Sequence, residues 1–175
     1  MNIQKAFSLS DKLIDKTDLN FEEVYYYLPP KFSKDLQNSV LYSSIWTLDS
    51  YYQKIRKAEI EVGFQNSVLI REILKNSRWH GGSKEDNPTF FSLFINPEKF
   101  VLGCWDGGDY FKREDIKKIW ENKQELKEYH EADYHGIGHH YGYNYFKYRF
   151  DEIRVDNEQG VLYGIVNLKR FPEIS

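Results

Sequence analysis

Two seven-residue runs, TFFSLFI at 89–95 and KFVLGCW at 99–105, are separated only by Asn96-Pro97-Glu98. Each is rich in aromatic and β-branched residues and too short for a helix, so each is expected to be a strand. A three-residue gap forces the two strands into a hairpin. Neither run alternates apolar with polar, so both faces of the hairpin must be covered. The chain is thus committed to a sheet with this hairpin at its centre. FEEVYYYL at 21–28 is expected to be another strand, stopped by Pro29-Pro30. DEIRV and VLYGIVNLKRF predict a final hairpin around Asn157–Gly160.

Helical periodicity fills the intervals. Ser33 is a candidate N-cap for a helix running to about Arg56, with Leu36, Val40, Leu41, Ile45, Trp46 and Leu48 at three- and four-residue spacing. A second helix is expected over 58–80, with Ile60, Phe64, Val68, Leu69, Ile73 and Leu74 as its apolar stripe and Gly81-Gly82 as its stop. Residues 111–130 are charged and helical in composition, and 143–150 can form a further helix. The order β-α-α-β-β-(α)-α-β-β predicts an α/β (α+β) protein: a two-layer sandwich, a mixed open sheet with helices on one face. Residues 1–20 are expected to be an N-terminal extension and 21–175 a single domain.

Charge and composition narrow the function. Lys plus Arg number 24 against 27 Asp plus Glu, a net charge of −3, which argues against dedicated binding to nucleic acid or an anionic membrane. A single cysteine, Cys104, excludes an intrachain disulfide framework and fits a reducing cytosol. The N-terminus lacks the apolar segment of a signal peptide, and no run approaches the roughly 20 apolar residues of a membrane span. A cytoplasmic location is the expectation. Aromatics are abundant, with 12 Phe, 14 Tyr and 4 Trp. Base stacking on single strands is one use for them, but no RNP-like motif or basic bias accompanies them.

Three segments carry candidate chemistry. In LIREILKNSRWHGG, Glu72, Asn76 and His80 recur every four residues and stack along one helix ridge. In GCWDGGDYF, an apolar strand ends in Asp106 and two glycines, where a planar ligand can approach the backbone. In YHGIGHHYGYNYF, Gly136, Gly138 and Gly142 precede a helix start, a setting that favours phosphate. Taken singly, these also fit a solvated helix face, a simple turn and a flexible loop.

In order and spacing the set resembles the Bergerat-fold (GHKL) ATP-binding superfamily, closest to the small anti-sigma factor/serine-protein kinase domains, over residues 21–170. The family's box Glu-x-x-x-Asn-(Ala/Ser)-x-x-His-Gly matches Glu72 through Asn76, Ser77 and His80 to Gly81. Asp-x-Gly-x-Gly-Phe is matched by Asp106, Gly108 and Phe111, with Tyr110 at the second glycine. The lid is similar to Gly138–Gly142, with His140 where a central glycine is common, and Asp151-Glu152-Ile153 resembles the Asp-Glu-Val at the start of the final hairpin. The resemblance implies Mg-ATP binding. Asn76 would hold Mg²⁺, Glu72 would be the base or water-positioner, and Asp106 would accept from the adenine amino group. Gly108 would pass the base, His80 would belong to the nucleotide site, and Gly136, Gly138 and Gly142 would meet the phosphates. It also implies phosphorylation of a serine or threonine on a protein partner, a sigma factor or an anti-anti-sigma-like domain, or slow ATP hydrolysis that regulates such a partner; a homodimer is a further candidate. No helix bearing a phospho-accepting histidine precedes the domain, so a complete sensor kinase is not expected.

Other readings remain beside it. The same fold can serve as an interaction switch with a degenerate, non-catalytic nucleotide pocket. His130, His135, His139 and His140 fall close together, but His130-Glu-Ala-Asp-Tyr-His135 is not the zinc-protease pattern His-Glu-x-x-His. Cys104, in an apolar strand, is expected to be a packed small side chain. The first helix, through Trp46, Tyr51 and Tyr52, is a candidate partner surface, with core packing as the plainer role for its aromatics.

Overall fold

The computed structural model describes residues 19–56, 61–80, 86–107, 149–156 and 161–168. Strand β1 (Glu22–Leu28) leads into α1 (Lys34–Arg56), a short α2 (Val62–Gln65) and α3 (Ser67–His80). The chain then forms β2 (Thr89–Ile95), β3 (Lys99–Trp105), β4 (Glu152–Asp156) and β5 (Val161–Asn167). The sheet order is β1-β2-β3-β5-β4, so β3 is central. Every residue of β2 is buried, and so is all of β3 except its two half-buried ends. The hairpin turn is closed by Asn96, whose Oδ1 accepts from the backbone N–H groups of Glu98 and Lys99, both at 2.9 Å. Tyr52 Oη donates to the Asn96 carbonyl at 3.1 Å, and Leu168 N–H donates to the Glu98 carbonyl at 2.8 Å. That end of the sheet is therefore tied to both α1 and β5.

All four described strand pairings are antiparallel, so the sheet is not mixed as the sequence suggested. The cause is the number of helical passes. A single crossover helix returns the chain to the start of the next strand and makes it parallel. Here α1 runs back along the sheet and α3 returns beside it. Arg78 Nε donates to the Phe32 carbonyl at 3.1 Å, and Gly63 N–H donates to Asp49 Oδ1 at 2.7 Å, so the two helices are antiparallel. Two passes bring the chain back to the end where β1 finished, and β2 must run antiparallel to it.

Strand alternation sorts the sheet residues into two clusters. Phe91, Leu93, Ile95, Phe100, Leu102, Cys104 and Val166 pack beneath the helices with Val40, Leu41, Leu48, Tyr52, Leu69, Ile70 and Ile73. Phe90, Phe94, Val101, Val161, Tyr163 and Ile165 form a second buried cluster to which no described helix contributes. Across this second face, Tyr27 packs on Phe90 and Phe90 on Trp105, each with ring centroids 5.3 Å apart. Helices on one face hold for the described residues, while the other face is buried at its centre and exposed toward its edge strands at Tyr25, Tyr27, Glu152 and Arg154.

The first helix matches its expected cap and extent: Leu36 N–H donates to Ser33 Oγ at 3.1 Å. The second departs from expectation. It is interrupted at Asn66, which is buried and whose Nδ2 donates to the Val62 carbonyl at 2.8 Å. The buried stripe keeps one helical phase through Asn66, and it lies one to two residues off the expected one before Leu69. Phe64 and Val68, expected in the core, are exposed, while Val62, Leu69, Ile70, Ile73 and Leu74 are buried. Tyr51 and Tyr52 belong to the core rather than a partner surface, although Trp46 is exposed. Residues 1–18, the charged stretch 111–130 and the helix expected at 143–148 lie outside the described residues.

One glycine is fixed by packing. A Cβ on Gly164 would overlap the ring of Phe150, which is fully buried on the helix side of β5. Gly164→Val is expected to destabilise the protein by about 2–4 kcal/mol, through overpacking and loss of the Phe150 seat. Urea denaturation should show a lower midpoint with the slope unchanged. An unaltered midpoint would mean the ring is free to move aside.

Candidate functional site

The Ser77 hydroxyl and the Thr89 hydroxyl lie 2.6 Å apart, and both residues are fully buried. This hydrogen bond fastens the last turns of α3 to the first residue of β2. A buried hydroxyl pair of this kind contributes about 1 kcal/mol, but leaving either partner alone costs about 1–3 kcal/mol. The bond therefore fixes where α3 sits along the sheet. Asn76 directly precedes Ser77, and Glu72 lies one turn earlier.

Asp106 stands at the same sheet end. The β2–β3 register pairs Phe90 with Trp105, so one further step sets Asp106 opposite Thr89. Asp106 is 4% exposed, an unusual degree of burial for a carboxylate. The next residue, Gly107, has φ +73°, and its missing Cβ would face the Asn87 side chain at 3.2 Å. Only glycine adopts that backbone without strain, which is how the chain leaves β3 at this point.

Cys104 completes the cluster. It lies on the helix-facing side of β3, within hydrogen-bonding reach of Ser77. Burial, reinforced by the charge of Asp106, pushes its thiol well above the ordinary cysteine value. Cys104 is thus a buried thiol packed in the core, as expected from its place in an apolar strand.

The ridge on α3 is more enclosed than a solvated stripe. Glu72 and Asn76 are half-buried, with the Glu72 side chain 19% exposed and 3.5 Å from Lys75 Nζ. Gly63 and Arg78 mark the flank of the helical pair that faces α1. Asn76, two residues before Arg78 and so about 200° round the helix, lies on the flank turned away from α1. Carboxamide and carboxylate oxygens one turn apart are a donor set suited to Mg²⁺, which prefers oxygen and retains waters.

The structure thus sets Asn76 and Asp106 at one end of the sheet, with Glu72 one turn back along α3. His80 is the last residue of α3, but its side chain lies outside the described residues, as do Gly108, Gly136, Gly138 and Gly142. Asp151 is placed where the motif expects it. Its N–H donates to the Ile165 carbonyl at 2.8 Å, and its Oδ2 accepts from Asn167 N–H at 2.7 Å, joining β4 to the end of β5. The sequence reading missed the Ser77–Thr89–Cys104 group. A signal was present: Ser77 falls four residues after Ile73 and three after Leu74, within the buried stripe.

A double-mutant cycle of Ser77→Ala and Thr89→Val tests the clamp. Each single variant should lose about 1–3 kcal/mol, and the pair should lose less than the sum. Strict additivity would show that the hydroxyls do not act together.

No family model matches the sequence, and no curated protein matches it.

Proposed function

We propose that the chain is a cytoplasmic ATP-binding regulatory domain of Bergerat (GHKL) type, similar to anti-sigma factor serine/threonine kinases. The observation that carries this reading is the fastening of α3 to β2 by Ser77 and Thr89, at the sheet end where Asp106 is buried. That fastening gathers the two most specific motifs of the sequence. The five-stranded antiparallel sheet with its helix layer supplies the frame.

In this reading Asp106 accepts a hydrogen bond from the exocyclic amino group of adenine, and its burial strengthens that bond by excluding water. Asn76 would offer a neutral oxygen to Mg²⁺, which when bound would supply positive charge against the phosphates. Glu72, on the same flank one turn earlier, orients the attacking hydroxyl or water and takes its proton. Gly108 lets the base lie close to the backbone, and Gly136, Gly138 and Gly142 present N–H groups to the phosphates. The phosphoryl acceptor is a serine or threonine on a protein partner, a sigma factor or an anti-anti-sigma-like domain.

A second reading keeps the nucleotide and drops the turnover. Tyr110 and His140 stand where the motifs carry glycine, so the pocket and lid are bulkier than the pattern requires. Such a chain would act as a nucleotide-dependent interaction switch.

Calorimetry with ATP and Mg²⁺ should give saturable heat, weakened about 10- to 100-fold by Asp106→Asn. Absence of heat in the unaltered chain would refute both readings. Glu72→Ala should leave the affinity within a few-fold and lower any turnover by about 10²–10⁴. Turnover unaffected by that change would remove Glu72 from its role, and binding without turnover would select the switch.

A further inference from the structure

The outer face of the sheet, opposite the helices, holds its centre fully out of solvent: Phe94, Val101, Val161 and Tyr163 are each 0% exposed. Neighbours in the same sheet cannot bury side chains that stand perpendicular to it; a second layer about 10 Å away is needed. Tyr25 and Tyr27 of β1 reach Phe94 and Phe90 at the flank, with ring centroids 5.7 and 5.3 Å apart. Both tyrosines are themselves exposed, and β5 lies three strands away from them. The described residues do not supply the missing layer. Among the others, the stretches 57–60, 81–85, 157–160 and 169–175 have at most seven residues each. The layer must cover β2, β3 and β5, a width of about 10 Å, which is that of one helix. Two stretches are long enough to supply it, 1–18 and 108–148.

The hand of the fold directs 108–148 to the other face. Strands β3 and β4 each run antiparallel to β5, which lies between them, so they are parallel to each other. The stretch joining them is a crossover, and such crossovers are right-handed in about 98% of cases. Asn96 N–H donates to the Lys99 carbonyl at 3.0 Å, which makes Asn96 and Lys99 a hydrogen-bonded pair and, two residues on, Phe94 and Val101 another. An L-residue on a strand pointing up, with its side chain toward the viewer, directs its N–H and C=O to the right. Seen from the Phe94 side with β2 pointing up, β3 is therefore on the right of β2. Turned so that β3 points up, β4 is on its left, and a crossover above this face would be left-handed. The right-handed path runs over the helix face, where Phe150, just before β4, packs against Gly164.

Residues 1–18 are left for the outer face, and they suit it. Phe21 packs on the outer cluster, and the Asn20 carbonyl accepts from Tyr51 Oη, so the chain before β1 meets the sheet at its Asn96 end beside this face. At about 100° per residue, Ile3, Ala6, Phe7, Leu13 and Ile14 fall within roughly 120° of one helical face. Lys5, Ser8, Asp11, Lys12 and Asp15 occupy the opposite arc. Twelve residues of helix span about 18 Å, against roughly 14 Å from Phe90 to Phe94 along β2. We propose that residues 3–14 form an amphipathic helix lying on the outer face, its apolar arc over Phe94, Val101 and Tyr163. The domain then has three layers, helix, sheet and helix. This face is separate from Glu72, Asn76 and Asp106, so the proposal does not depend on the nucleotide reading.

Thiol accessibility in the full chain tests it. Val101→Cys sets a small side chain at the centre of the outer face, and the native Cys104, buried on the helix face, is the internal control. The Val101→Cys thiol should resist a maleimide, and adding Phe7→Glu with Leu13→Glu should speed its modification at least about tenfold. The same two glutamates in a chain with Val101 intact should leave Cys104 as slow as before. Lys12→Glu, on the polar arc, should change neither rate. A thermal melt checks that each variant is folded; Phe7→Ser with Leu13→Ser replaces the glutamates where it is not. A Val101→Cys thiol still protected when the apolar arc is broken, Cys104 released along with it in a folded chain, or Lys12→Glu equally effective would each overturn the proposal.

Discussion

Strands β2 and β3 have side chains buried on both faces, and the rest of the described structure answers that requirement. A hairpin covered on both sides cannot sit at an edge, so β1 and β5 flank it. It also needs two separate apolar layers. The helices supply one through Val40, Leu48, Leu69 and Ile73, and the opposite face forms its own cluster around Phe94, Val101 and Tyr163. Each large side chain so buried contributes about 1.5–3 kcal/mol. Among the described residues, the helices pack on the face of the hairpin that carries Phe91, Leu93, Phe100 and Leu102.

The helical pair has a second consequence through its direction. Because α1 goes out and α3 comes back, the connection after β1, the C-terminal end of α3 and the exit from β3 all meet at one end of the sheet. Lys31 and Asp86, each in a left-handed backbone conformation, pair across that end at 2.5 Å. Ser77 and Thr89 then set the depth of α3. Neither feature requires a ligand. Together they fix α3 against the sheet end where Asn76 and Asp106 stand.

The sequence made the strands legible because their pattern is local. Asn96-Pro97-Glu98 interrupts an otherwise continuous apolar run, and Ser33 caps α1 within its own turn. What escaped depends on contacts between distant segments. The interruption at Asn66, whose side chain turns back to the Val62 carbonyl, and the close seat of Gly63 on Ile45 do not appear in periodicity. Phe64 and Val68 lie on the face opposite the stripe of Val62, Leu69, Ile70, Ile73 and Leu74 and are exposed. The antiparallel sheet follows from a count of helical passes, which residue patterns do not encode. In the candidate site, Glu72, Asn76 and Asp106 were readable from their spacing. Thr89 was not, because its partner Ser77 is twelve residues away and on a different element.

The turn at Asn96 gives the molecule a polarity. At that end the chain reverses in three residues, sealed by Asn96, Tyr52 and Leu168, while the long connections leave from the other. A sheet built in this way can have its long connections lengthened, trimmed or exchanged in the course of descent without disturbing strand register.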